Sequence, residues 1–502
     1  MTTPSLEQIL DTTLNFKGSF ISGKWMDFSK DSSGEWGVRS PANIEWELPT
    51  LNYSLSAVEQ SAASASEALK TWRHIGLEKR CEFVKKFGVE LVKRQFLLGR
   101  VIALETGKPL DEALGEASLL EKKIEVTIEH GLELMKSSHV KINDTQKGEI
   151  HWMPKGVMLI IGPFNFPVHL SHGHVVPALL MGNTVILKPS EKTPYSAQVY
   201  ADAAEAAGFP PGVFQLIQGP GEMAKRLMRQ TEVDGVIATC SYEVGAKIQK
   251  TLAESPEKIV ALEMGGKNAA LIWGEKNIEM LSSELIRSSY LTTGQRCTAL
   301  SRVYVQRQIM SDLIQVFHQK AKELSISHPF DTDPKPYMGP LISEESLDKF
   351  LRYNKIAQSD GAETIMRPKA LKGKTRLKDV PLPNGHYVSP SVHVVPKCDP
   401  ASAYQNHEIF GPDLFFCPID SFDEGIASIN TSKYGLVSSV FCPRTEFEYA
   451  ADRINAGLIY YNRATVGASA RLPFGGWGRS GNHRPAGLFA IYACSQVQAR
   501  MV

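Results

Sequence analysis

Val157-Met158-Leu159-Ile160-Ile161-Gly162-Pro163 sets five apolar residues in succession before a Gly-Pro turn. A run without polar alternation leaves neither face to water, so it reads as a strand buried on both sides, as in a parallel sheet. The same rhythm of apolar run, Gly/Pro turn and helical segment recurs at Thr184–Leu187, Val213–Gln218, Val233–Ala238 and Ile259–Leu262. A doubly wound α/β domain is therefore expected, with ligands gathering at the carboxyl ends of its strands.

Upstream, residues 56–137 are rich in Ala, Leu, Glu and Lys with helical apolar spacing and predict four helices. His139–Pro154 alternates in the manner of an exposed hairpin strand. Downstream of Gly266 a second α/β unit is expected to run to about Asn462: a helix over Glu279–Leu291, the Cys297 segment, a strand at Arg302–Gln306 and a helix at Met310–Leu324. The polar, Pro-rich stretch His328–Pro340 reads as a surface connection, and Ile491-Tyr492-Ala493-Cys494 as a strand in the tail.

The 502 residues, 43% of them apolar, are enough for two to four domains. With 55 basic against 54 acidic residues the net charge is +1, so no global field recruits nucleic acid or an anionic membrane, and a small molecule is the expected partner. Seven scattered cysteines without paired ligand spacing suit reduced thiols in a cytosolic enzyme and suggest no metal site. Met1–Lys24 lacks the apolar core of a signal peptide, and no apolar run reaches membrane-spanning length, so the cytoplasm is the expected compartment.

Several residues could carry chemistry. Cys297, in Gly294-Gln295-Arg296-Cys297-Thr298, lies in a short helical stretch outside any apolar run and reads as a nucleophile, against the alternative of a small buried hydrophobe. Glu263 could be its base or could pair with Lys267. Asn165, directly after the first strand, could donate to an oxyanion or cap the next helix. Lys188, Ser190 and Glu191 follow the second strand, where a nucleotide ribose would lie, or form an ordinary turn. Gly219 permits close backbone approach, although Gln218-Gly219-Pro220-Gly221 lacks a full dinucleotide fingerprint. Glu408 and Phe410 sit in a Gly-Pro turn, and Pro473-Phe474-Gly475-Gly476-Trp477-Gly478 is a second glycine-rich turn.

In this order and spacing the motifs resemble the aldehyde dehydrogenase superfamily, from about Phe20 to Val502. The resemblance implies an α/β fold with a Rossmann-type NAD-binding domain (1–138 and 156–262), a catalytic domain (263–462) and a small β oligomerisation element (139–155 and 482–502). It implies Cys297 as nucleophile, Glu263 as general base, and Asn165 with the Cys297 backbone N–H as oxyanion hole. Lys188, Ser190, Glu191, Gly219, Ser241, Glu408 and Phe410 would bind NAD, with NADP possible, and a homodimer or homotetramer is expected. Gly162–Leu170, Gly173–Leu180, Gly467–Ser469 and Pro473–Pro485 are similar, more narrowly, to the N-succinylglutamate 5-semialdehyde dehydrogenases of arginine catabolism. An acidic substrate needs cationic anchors, and Arg463, His483 and Arg484 are the candidates.

The chain departs from the superfamily pattern at Ala238-Thr239-Cys240-Ser241, where Phe-Thr-Gly-Ser is usual, so a thiol replaces a glycine beside the cofactor. The alternatives to an acidic semialdehyde are therefore oxidation of another aldehyde by the same chemistry, or cofactor binding with little turnover.

Overall fold

The computed structural model describes residues 15–373 and 381–502; the beginning of the first expected segment, residues 1–14, lies outside them. Two seven-stranded sheets organise the chain. The first runs in the order 259–263, 235–239, 157–161, 184–188, 214–216, 19–21, 24–26. Its first five strands in that order are parallel, and Ser19–Ile21 and Lys24–Met26 add an antiparallel hairpin at the opposite edge from 259–263. Val157, Met158, Leu159 and Ile160 are all essentially inaccessible, as an unbroken apolar run demands.

The second sheet has the order 363–366, 391–394, 413–419, 300–306, 268–272, 437–441, 458–461, parallel except at the first strand. Helices Ile278–Tyr290 and Arg307–Glu323 match the expected pair to within a few residues. The four expected N-terminal helices form at Ser56–Trp72, Leu77–Thr106, Leu110–Ser118 and Leu120–Val126. Strands 138–141 and 147–154 make the expected hairpin, and Ser495–Met501 pairs with the longer one to give a three-stranded sheet.

Three local expectations are corrected. Ile491–Cys494 is not a strand: Ala490–Ala493 is one helical turn, with Ile491, Ala493 and Cys494 all buried. There Asn183 Nδ2 binds the Cys494 carbonyl. Burial on all sides gives a helical turn and a buried strand the same apolar signature. The segment around Cys297 is not helical: the 3-10 turn Leu291–Gly294 contains left-handed Thr292 and Thr293, with φ of 54° and 55°, and ends before the cysteine. Nor does His328–Pro340 lie wholly on the surface, since His328 and Met338 are buried and the Pro329 carbonyl accepts the Leu110 N–H.

Candidate active site

The carboxyl ends of the first sheet's strands open onto a cavity of about 1140 Å³ between the two sheets. Cys297, Glu263, Asn165, Lys188, Ser190, Glu191, Ser241, Glu408 and Phe410 all line it. Gly219 does not: a side chain there would meet Met223 and Tyr53 instead. Arg463, His483 and Arg484 also lie outside the lining, although Phe474 and Ala486 on either side of the last two belong to it. The Arg463 guanidinium is turned onto the Val466 and Gly467 carbonyls, and Arg484 stacks near Trp477.

Glu263 is the last residue of its strand, at 4% exposure, and its Oε1 has no hydrogen-bond partner. Lys267 is as buried and its Nζ is also unpartnered, so the suggested Glu263–Lys267 pair does not form; the ammonium instead lies 5.3 Å from the Tyr404 ring centre. Burial pushes the Glu263 carboxyl well up, opposed by the Arg484 charge. An unpartnered buried carboxyl oxygen facing a cleft is available for proton transfer.

The outer edge of this strand is closed by the tail. The Asn482 side chain accepts from Leu262 N at 2.7 Å and donates to Val260 O at 3.1 Å, while Asn482 N donates back to Leu262 O and Met264 N to Ser480 O. Gly475 lies between Glu263 and Arg484: a Cβ there would approach Glu263 Oε1 to 2.6 Å.

Cys297 sits in a tight turn pegged by Asn268, whose Nδ2 donates to the Cys297 and Ala299 carbonyls at 2.7 and 2.8 Å while its Oδ1 accepts from Val437 N at 3.2 Å. The thiol is pushed up to about 12, first by burial and then by the Glu263 and Glu408 carboxylates; the Thr298 backbone and the Arg296 charge pull the other way. It therefore rests as a thiol, and its ionisation requires a proton acceptor or a nearby positive charge. Asn165 does not cap the following helix, which has no side-chain cap. Its amide donates to Gln295 O at 2.9 Å, which leaves one of its two N–H groups for a ligand.

Glu408 accepts the Gly266 N–H at 2.9 Å, and its carboxyl rises to about 7, driven by burial and opposed first by that bond. A Cβ at Gly265 would strike the Glu408 carboxylate, so the backbone there must stay bare. Phe410, at φ 60°, meets Phe164 edge-on at 5.8 Å. At the other end burial lowers the Lys188 ammonium to about 8, with Glu191 opposing. Cys240 also lines the cavity, its thiol raised to about 12 by burial first, and its N–H bonds Glu263 O at 2.9 Å. Among the described residues no cluster of three metal-ligating side chains occurs, and no helix is long and apolar enough to cross a membrane.

A half-buried thiol, an unpartnered carboxyl and an amide converge where two α/β sheets meet, an arrangement suited to covalent chemistry on a carbonyl. Residues 28–499 match the aldehyde dehydrogenase family, and the chain belongs to it. It is 34% identical over 484 residues to N-succinylglutamate 5-semialdehyde dehydrogenase of an Enterobacter species, covering 96% of this chain and 94% of that one. To the protein of the same name from Novosphingobium aromaticivorans it is 36% identical over 442 residues, 87% and 90% of the two chains. Betaine aldehyde dehydrogenase of Staphylococcus aureus, solved with NAD+, superposes with a TM-score of 0.88 at 26% identity, over 97% of this chain and 95% of that one.

Sequence reasoning passed over Asn268, Glu112 and Glu116. Asn268 opens the strand Asn268-Ala269-Ala270-Leu271-Ile272 as its one polar residue, and that isolation was the available signal.

Proposed function

We propose that this aldehyde dehydrogenase oxidises an acidic semialdehyde, N-succinylglutamate 5-semialdehyde in arginine catabolism, to the carboxylate with NAD through a thioester on Cys297. The observation that carries the reading is joint. The relatives of that name match over nearly the whole chain, and the Gly481–Pro485 segment that resembles them begins by bridging Glu263 itself.

The cavity residues fit a dinucleotide. Lys188, Ser190 and Glu191 offer ribose-binding groups at one end; Glu408, Phe410 and a backbone kept bare at Gly265 face the reacting residues at the other. The nicotinamide, when bound, supplies the hydride acceptor. The chain's own work is then defined. Cys297 sulfur attacks the aldehyde carbon as its proton passes to Glu263, which releases it to water; the free Asn165 N–H and the Cys297 N–H hold the oxyanion; after hydride loss, Glu263 takes a proton from the water that hydrolyses the thioester, and the Cys297 sulfur departs. Glu191 favours NAD over NADP, because a 2′-phosphate would meet its charge. Arg463, His483 and Arg484 remain the proposed carboxylate anchors, acting from outside the described cavity lining.

Residues 1–138 with 156–262 form the proposed NAD-binding domain, 263–462 the catalytic domain, and 139–155 with 482–502 the element that joins a homodimer or homotetramer in the cytoplasm. The test is a panel of carboxylated and neutral aldehydes with NAD and NADP. NADH formed fastest from N-succinylglutamate 5-semialdehyde supports the reading; a folded protein that yields NADH from no acidic semialdehyde ends it. Tight NAD binding by calorimetry without turnover would instead support the alternative that Cys240 motivates, a cofactor-binding protein.

A further inference from the structure

Beneath the site, a single helix touches both of its reacting turns. Leu110–Ser118 carries Glu112 and Glu116 one helical turn apart, hence on one face. Glu116 Oε1 accepts the backbone N–H groups of Val168 and His169 at 3.2 and 3.1 Å, three and four residues beyond Asn165. Its Oε2 accepts from Lys108 Nζ at 2.7 Å in a fully buried pair. Glu112 Oε1 accepts Thr292 N at 3.0 Å, and its Oε2 accepts both Thr292 Oγ1 and Arg296 Nη2 at 2.6 Å. Arg296 immediately precedes Cys297 and also donates to Thr292 Oγ1 at 2.8 Å.

Two like charges at this spacing on a helix disfavour it unless each is satisfied elsewhere. Here each is satisfied by a different turn of the active site. Thr292 is β-branched and held at φ 54°, a conformation such residues rarely adopt unless their surroundings impose it. Both its hydrogen-bond donors end on Glu112. The Phe166 ring closes the bracket, with Lys108 Nζ 3.8 Å from its centre and the Arg296 guanidinium 5.0 Å away.

We propose that Glu112 and Glu116 are positioning residues: as a rigid two-pronged brace they set the spacing between the Cys297 turn and the Asn165 turn. The proposal rests on the reading that these two turns act together on a carbonyl. Neither glutamate lines the cavity or touches a reacting atom, so their effect is geometric.

The experiment compares Glu112→Ala, Glu112→Gln and Thr292→Val. In Glu112→Ala, kcat falls at least tenfold while KM for NAD stays within twofold, because the ribose end of the cavity is untouched. Glu112→Gln keeps an oxygen for the Thr292 N–H and an amide that donates to its hydroxyl, losing only the Arg296 bond, and recovers kcat to within about threefold of wild type. Thr292→Val removes only the hydroxyl link from the other side, leaving the Thr292 N–H and Arg296 on Glu112, so its loss is smaller than that of Glu112→Ala and the double variant is no slower than Glu112→Ala alone. Should Glu112→Ala fail to fold, Glu112→Gln and Thr292→Val carry the comparison.

A second readout needs no aldehyde, so a mistaken substrate cannot imitate failure of the brace. Iodoacetamide labelling of Cys297 is at least threefold faster in Glu112→Ala, where Arg296 has lost its counter-ion, while labelling of Cys81 is unchanged. Unaltered kcat and Cys297 labelling would overturn the proposal. So would parallel acceleration at both cysteines, which would mean general loosening.

Discussion

Replacing Asn268 by alanine removes three hydrogen bonds at once: those to the Cys297 and Ala299 carbonyls and that from Val437 N. Asn268 is 2% exposed and Val437 1%, so water has little room to take over. A buried polar group stripped of its partner costs about 1–3 kcal/mol, and three of them at the lower half of that range give about 4 kcal/mol. With a urea dependence of about 3 kcal/mol per molar, the unfolding midpoint drops by about 1 M. Fluorescence-detected urea unfolding of wild type and Asn268→Ala measures this directly. The turn that holds Cys297 loses its only side-chain peg from the neighbouring strand among the described bonds, so turnover falls more than tenfold in protein that is still folded. Stability within about 1 kcal/mol of wild type, with turnover intact, would show that the bonds from Asn268 are replaceable and the reasoning from unpaired groups wrong here.

Glu263→Gln is expected to lower kcat by about 10²–10⁴-fold, the usual worth of a general base, while iodoacetamide still labels Cys297; steady-state rates and peptide mass spectrometry check the pair. Lys108→Met leaves the Glu116 carboxylate buried without its cation and costs about 3 kcal/mol, seen as a lower melting temperature. The Lys267 ammonium is depressed by burial to about 8 from 10.5. A depressed lysine favours the folded state only once neutral, so Lys267 adds at most about 3 kcal/mol to stability between pH 8 and 10.5, and Lys267→Met removes that share of a rise to which Lys123 and Lys188, also lowered to about 8, contribute. Chemical denaturation at pH 7, 9 and 10.5 measures it, and an identical pH dependence in both proteins would contradict the assignment.

The parallel core was legible because its strands are unbroken apolar runs that recur with Gly/Pro turns and helical segments between them. That Cys297, Glu263 and Asn165 share one cavity was legible only through the resemblance of their motifs to the family; taken singly they read equally as a buried hydrophobe, a strand-end charge and a helix cap. What escaped was support from across the fold. Asn268 looks like a polar residue opening a strand, and its bonds 29 and 169 residues away leave no trace in local periodicity. Glu112 and Glu116 look like solvated helix charges; only the absence of basic partners within Leu110–Ser118 hinted otherwise. The tail run Ile491–Cys494 misled because complete burial erases the difference between periods of 2 and 3.6.

The seal on the edge of the Glu263 strand also imposes an order on assembly. That strand could extend outward with any passing chain, since its far side shows unpaired backbone groups. Asn482, placed 220 residues later, occupies those groups with its own amide as if it were one more strand. During synthesis that edge therefore waits, exposed, until the whole of the second sheet, whose last strand ends at Tyr461, has been made. A polypeptide stalled or cut before Ser480 would hold Cys297 and Glu263 but present a sticky flank, so partial products of this chain should aggregate rather than leak activity.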